Sequence, residues 1–241
     1  MKRAERHHLK ENELQRLTIQ ARKALSERTP ATTGILVGLL VVAAAGIGYY
    51  AWRGHVQSGA HALLAEALAT QEAPITTLGS TGAAGSYGNE RARLQAAVAK
   101  FKAAADAYPS TDARLYARYQ EAVGQVTLGN LAGATSAYQE VIRRAGDGIY
   151  GQMARLGSAE AQARAGQYDQ AINTYKEMAQ RKDGPLPIDG ILMQLGRTYR
   201  DAGKRADAQQ TFNRLVQEFP ESPFSTDAKR ELDSLNKAPA A

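Results

Sequence analysis

Three glycines, Gly129, Gly166 and Gly203, stand 37 residues apart, and their neighbours repeat with them. Ala134, Ala171 and Ala208 keep the interval, as do Tyr138, Tyr175 and Phe212. One step back lands on Ala97 and Phe101, and Tyr108-Pro109 lies three such periods before Phe219-Pro220. A fixed period of this size marks a stacked repeat in which each unit is one supersecondary element. The spacing has a physical reading. Glycine ends the first helix of a hairpin, where a left-handed residue is needed. Alanine, five residues on, lets the second helix close against the first. The aromatic one turn later lies on the same face and fills the space between neighbours. Proline then stops the second helix. Hairpins of this kind cannot bury their faces alone, so they stack into a solenoid.

The spacing predicts an all-α fold with four hairpins. The first hairpin starts with a helix over 53–72, is interrupted by a Gly/Ser-rich loop at 73–89, and resumes from Glu90 to Tyr108. The loop is too polar to pack. The other hairpins cover about 112–146, 150–183 and 187–220, so the repeats occupy 90–220. A capping helix and a fraying tail take 221–241, with the helix at 226–236.

The other constraint is an apolar run. No charged side chain occurs from Thr29 to Trp52. A helix over 34–52 would be about 28 Å long, close to the hydrocarbon thickness of a bilayer. It has no polar stripe, and Tyr49, Tyr50 and Trp52 cluster at one end, where amphipathic rings favour the headgroup zone. A cleavable signal has a short basic lead and a 7–15-residue apolar core. Here the lead, 1–33, is long, and the segment reads as a retained transmembrane helix. Arg16, Arg22, Lys23 and Arg28 precede it, whereas after Arg53 no Lys or Arg occurs until Arg91. Positive charge stays inside, which puts the N-terminus in the cytoplasm and the rest outside. In a Gram-negative cell that is a single-pass inner-membrane protein with a periplasmic C-terminal domain. Gly34 and Gly38 have the spacing that lets membrane helices pack closely, a spacing also common without such packing. Leu14, Leu17, Ala21 and Leu25 share a helical face among basic residues. The tail is either an amphipathic helix on the anionic leaflet or a solvated segment.

Charge matters here only by its placement. Of 30 Lys/Arg and 24 Asp/Glu, eight and four lie in 1–33, so that tail holds +4 of the net +6. The remainder is nearly neutral, which argues against nucleic acid as a partner. The absence of cysteine excludes disulfides, thiolate metal sites and a Cys nucleophile. The four histidines, His7, His8, His55 and His61, give no metal-ligand spacing. No Gly-rich phosphate loop or catalytic set is recognisable, so neither enzyme activity nor a cofactor or metal is expected.

What a solenoid offers is a concave wall made of its first helices. At matching positions that wall carries Tyr116, Tyr119 and Val123, then Met153, Leu156 and Glu160, then Met193, Arg197 and Arg200. Aromatic and Met side chains suit an extended or helical polypeptide. Tyr119, Leu156 and Met193 also fit a role in packing hairpins together, while Tyr116 and Arg200 fit the groove better.

The repeat resembles the tetratricopeptide family over about residues 90–236. Its last unit, ILMQLGRTYRDAGKRADAQQTFNRLVQEFP, carries Leu195-Gly196, Tyr199, Ala208, Phe212 and Pro220 at that family's spacing. The two middle units depart from it, with Arg118 and Arg155 where the family has a large core residue. The extra three residues per period fall in connections such as RKDGPLP. A basic tail, one span and an external array, together with the unit ARLGSAEAQARAGQYDQAINTY, resemble the YfgM-like ancillary subunits of the Sec translocon. That resemblance implies a chaperone-like adaptor with the translocon, periplasmic chaperones or translocating chains as partners. A structural subunit of another inner-membrane complex, or an envelope or cell-division assembly scaffold, are the alternatives.

Overall fold

The computed structural model describes residues 30–76, 85–181 and 184–237, with side chains from Gly34 onward. The expected basic tail therefore lies outside the described residues. Nine α-helices occur among them: α1 (Pro30–Gln71), α2 (Glu90–Ala107), α3 (Asp112–Leu128), α4 (Leu131–Ala145), α5 (Ile149–Arg164), α6 (Tyr168–Gln180), α7 (Ile188–Asp201), α8 (Arg205–Glu218) and α9 (Ser225–Lys237). The chain divides into two compact units, Met1–His55 and Val56–Ala241.

In the first unit the described residues are the leading part of α1. Most of its large apolar side chains are exposed: Leu40 and Val42 at 69% and Tyr50 at 81%. This helix is long and apolar enough to cross a membrane. It runs without a break through 52–53, where the change in hydropathy suggests a boundary. Hydropathy reports the surroundings of a helix, whereas only a backbone breaker ends one, and no proline interrupts 31–71.

The second unit is a stack of helical hairpins. The later part of α1 packs on α2 through Leu63, Leu64 and Ala67, with Lys100 donating to Glu66 at 2.5 Å. Then α3 pairs with α4, α5 with α6 and α7 with α8, and α9 covers the last of them. The repeated residues hold equivalent places. Ala97, Ala134, Ala171 and Ala208 are all fully buried, and Phe101, Tyr138, Tyr175 and Phe212 are at most 3% exposed. The turns repeat too. Gly129, Gly166 and Gly203 have φ of 84°, 76° and 73°, the left-handed region. The amides after them, in Asn130, Gln167 and Lys204, each donate at 2.9 Å back to the carbonyls of Gln125, Gln162 and Tyr199. This is the Schellman bond closing a helix C-terminus, made three times at the same period.

The core runs along the stack as three patches. Around α1 to α3 it is built mainly of alanine with Phe101. Around α3 to α5 it adds Tyr138 and Val141. From α6 to α9 it is made of large side chains, including Ile191, Leu192, Met193, Phe212 and Leu215. Close approach is possible where a glycine meets an aromatic. A Cβ on Gly196 would lie 2.4 Å from the Phe212 ring.

Arg118 stands where a large apolar residue is expected, and it is buried at 7% exposure. Three helices supply carboxylates to it: Asp106 from α2, Glu121 from α3 at 2.6 Å and Glu140 from α4 at 2.9 Å. Arg114 also pairs with Glu140. Arg155 lies nearer the surface, where Asp147 pairs with it at 2.9 Å and with Arg181 at 2.8 Å. A buried charge is tolerated only when paired, and these pairs keep the middle repeats helical despite their departure from the apolar pattern.

The Gly/Ser-rich loop is tied at both ends. Ile75 and Tyr87 form a single β-bridge. The Thr76 amide donates to the Tyr87 carbonyl at 2.9 Å, and the Tyr87 amide to the Pro74 carbonyl at 3.0 Å. Residues 77–84 between them lie outside the described residues.

Candidate protein-binding groove

The period of the helices brings two faces together. On α3, Tyr119, Val123, Val126 and Thr127 fall on one face, and on α5 so do Met153, Leu156, Gly157, Glu160 and Arg164. These nine, with Tyr138 of α4 and Leu186 of the connection before α7, line a cavity of about 400 Å³. Its floor depends on Gly157, because a Cβ there would lie 2.5 Å from the Tyr138 ring. Tyr119 leans on the same ring, with centroids 5.8 Å apart at 58°.

Polar groups gather at one end. Arg164 donates to Glu160 at 2.6 Å across one helical turn. Burial, then the Glu160 charge, raises the Tyr119 hydroxyl above its usual pKa. Tyr138 is raised by burial, then by Tyr119 and Glu160, and Tyr175 by burial and then Glu160. All three stay protonated and able to donate at neutral pH. The arrangement offers apolar walls and convergent polar groups, which is how a concave site fixes a ligand. Among the described residues no three metal-ligating side chains converge.

The groove residues expected from the sequence divide into two sets. Tyr119, Val123, Met153 and Glu160 all line this cavity. Tyr116 lies one turn earlier and outside it, edge-on to Tyr150 at 6.3 Å, with its hydroxyl accepting from Gln120 at 2.6 Å. Arg197 and Arg200 are not brought to it. Arg200 pairs with Glu231 at 2.6 Å and Asp201 at 2.8 Å, and Arg197 reaches Glu231 at 3.5 Å, so both arginines meet the helix that covers the stack. Met193 is fully buried between helices. Among the described residues, nothing outside their own stretch of helix lies within 4 Å of a Cβ built on Gly34 or Gly38. Val126, Gly157 and Arg164 were open to sequence reasoning, being at helical spacing from residues already singled out. Leu186 was not, since it reaches the cavity from a connection without periodicity.

Comparison with known proteins supports the architecture. Residues 83–241 match the profile of the YfiO family, described as outer membrane lipoprotein. No curated protein matches the sequence. Among solved structures, the chain is similar to a Podosopora anserina protein described as a putative kinesin light chain with nearly identical TPR-like repeats. The identity is 14%, 73% of this chain and 84% of that one are covered, and the TM-score is 0.56. A single-substitution form of that protein matches with the same values. At this identity the likeness concerns fold alone: a stack of tetratricopeptide-type hairpins.

Proposed function

Because the chain belongs to the YfiO family of outer membrane lipoproteins, we propose that it is an envelope scaffold, held in the membrane by α1 and binding other proteins through its solenoid. In the finer form of this reading the solenoid lies outside the cytoplasm. The protein then serves as an ancillary subunit or chaperone-like adaptor of the protein translocon, as in the YfgM-like family. Its partners are the channel, periplasmic chaperones or translocating chains. One observation carries the proposal: the chain joins a helix with exposed apolar side chains to a hairpin stack with an open cavity. Stacked hairpins present extended concave surfaces that suit polypeptides, and Tyr119, Val123, Met153 and Glu160 are the proposed contacts. Tyr116 flanks them. The positive flank before α1 supports the orientation.

The family's description favours a second reading, an assembly scaffold working at the outer membrane. In that reading α1, long and apolar enough to cross a membrane, is the described segment that would hold the protein in a bilayer. A third reading, a fixed subunit of another inner-membrane complex, would use the Gly34 and Gly38 face.

A photoreactive residue at Thr127, exposed on the cavity rim, tests these readings in cells. Crosslinks to channel subunits, chaperones and secreted chains are the expected result. Recovery of outer-membrane assembly proteins, or of one complex at fixed stoichiometry without secretion components, would replace the translocon reading with the second or third.

A further inference from the structure

We propose that the cavity between α3 and α5 takes a basic side chain, lysine or arginine, from an extended segment of the bound protein. This inference rests on the protein-binding reading above and names the chemistry the groove selects. Val123, Val126, Met153, Leu156 and Leu186 form the walls, and they match the methylene stem of a long basic side chain. The groups where the head group would lie are Glu160 and, paired with it from the rim, Arg164. Glu160 is the only carboxylate in the lining. Its charge reaches Tyr119, Tyr138 and Tyr175, and raises all three. Val126 and Thr127 belong to the last turn of α3, and Arg164 to the last turn of α5. Two helix C-termini, each with partial negative charge, therefore border the same cavity. The ring of Tyr119, half-buried at the cavity wall, adds a face that attracts a cation. The Tyr119 hydroxyl, on a half-buried side chain of the lining, can donate to the backbone of the segment.

The one base in the lining is Arg164, whose side chain is 55% exposed. It occupies Glu160 from the rim and can swing into solvent when a ligand cation arrives. A carboxylate seeking Arg164 would meet Glu160 and both helix ends, so an acidic side chain is disfavoured.

The test uses the full chain in detergent and short capped peptides of one leucine–serine frame, differing only in a central lysine, norleucine or glutamate. The lysine peptide is expected to bind about 5–10-fold tighter than the norleucine peptide, with glutamate weakest. Glu160→Gln should abolish the lysine preference. Arg164→Gln, at an exposed position, should strengthen lysine binding several-fold by releasing Glu160. Equal or tighter binding of norleucine or glutamate, or weaker lysine binding in Arg164→Gln, would overturn the proposal. Absence of binding by all three peptides, with Thr127 still crosslinking a partner, rejects this pocket chemistry and leaves the scaffold reading standing. Failure of both rejects both.

Discussion

Gly157 and Gly166 show two different reasons for glycine. Gly166 needs the left-handed backbone but has open space around it, whereas Gly157 needs the absence of a side chain under Tyr138. Gly166→Ala should cost about 1–2 kcal/mol from backbone strain alone and leave peptide binding unchanged. Gly157→Ala should cost about 1–3 kcal/mol through overpacking and weaken groove binding as well. Urea midpoints and binding isotherms for the two variants separate the cases. Arg118 makes a different demand. Arg118→Met leaves the buried Glu121 carboxylate without its cation, and a loss of about 3–5 kcal/mol is expected. Asp106 ties this cluster to pH. Its bond to Lys102, then its bond to Arg118, holds its carboxyl below the usual value against the effect of burial. Its folded pKa is depressed, so its contribution is fully present above the unfolded value of about 3.9 and is lost as pH falls through the folded value. Stability should drop below about pH 4, and Asp106→Asn should flatten that drop in urea titrations at stepped pH.

The helices differ in how firmly they are held. From α6 to α9 the core has large aliphatic and aromatic side chains, while from α1 to α3 it is mostly alanine. Less apolar area removed from water means less local stability, and repeat stacks unfold by neighbouring units. Amide hydrogen exchange should therefore be slowest in α7 and α8 and fastest in α2 and α3. Uniform protection would contradict this gradient. What was legible in the sequence follows the same division. Glycine, alanine and the aromatic recur because each repeat gives them the same surroundings, so the period, the turns and the stacking could be read from spacing. The four cavity residues Tyr119, Val123, Met153 and Glu160 were legible for the same reason. The solution found for Arg118 was not, because its partners come from three helices that no local pattern links. Arg197 and Arg200 fit the groove by register alone, but register does not reveal that α9 supplies Asp227 and Glu231 beside them. The unbroken course of α1 was also hidden, since loss of apolarity after Trp52 resembles an element boundary.

At the scale of the whole molecule, the proposed scaffold joins a membrane helix to an external protein-binding stack. It follows that the protein should resist extraction by salt and alkali and yield to detergent, as a retained span does. Its lack of cysteine allows the most direct measurement. One cysteine is introduced at Lys229, exposed on α9, or at Lys10 in the basic tail, and spheroplasts are treated with a membrane-impermeant maleimide. Labelling of Lys229→Cys in intact spheroplasts, with Lys10→Cys labelled only after permeabilisation, is the predicted result. The reverse pattern, or recovery of the chain in the soluble fraction, would contradict a membrane-held scaffold that works outside the cytoplasm.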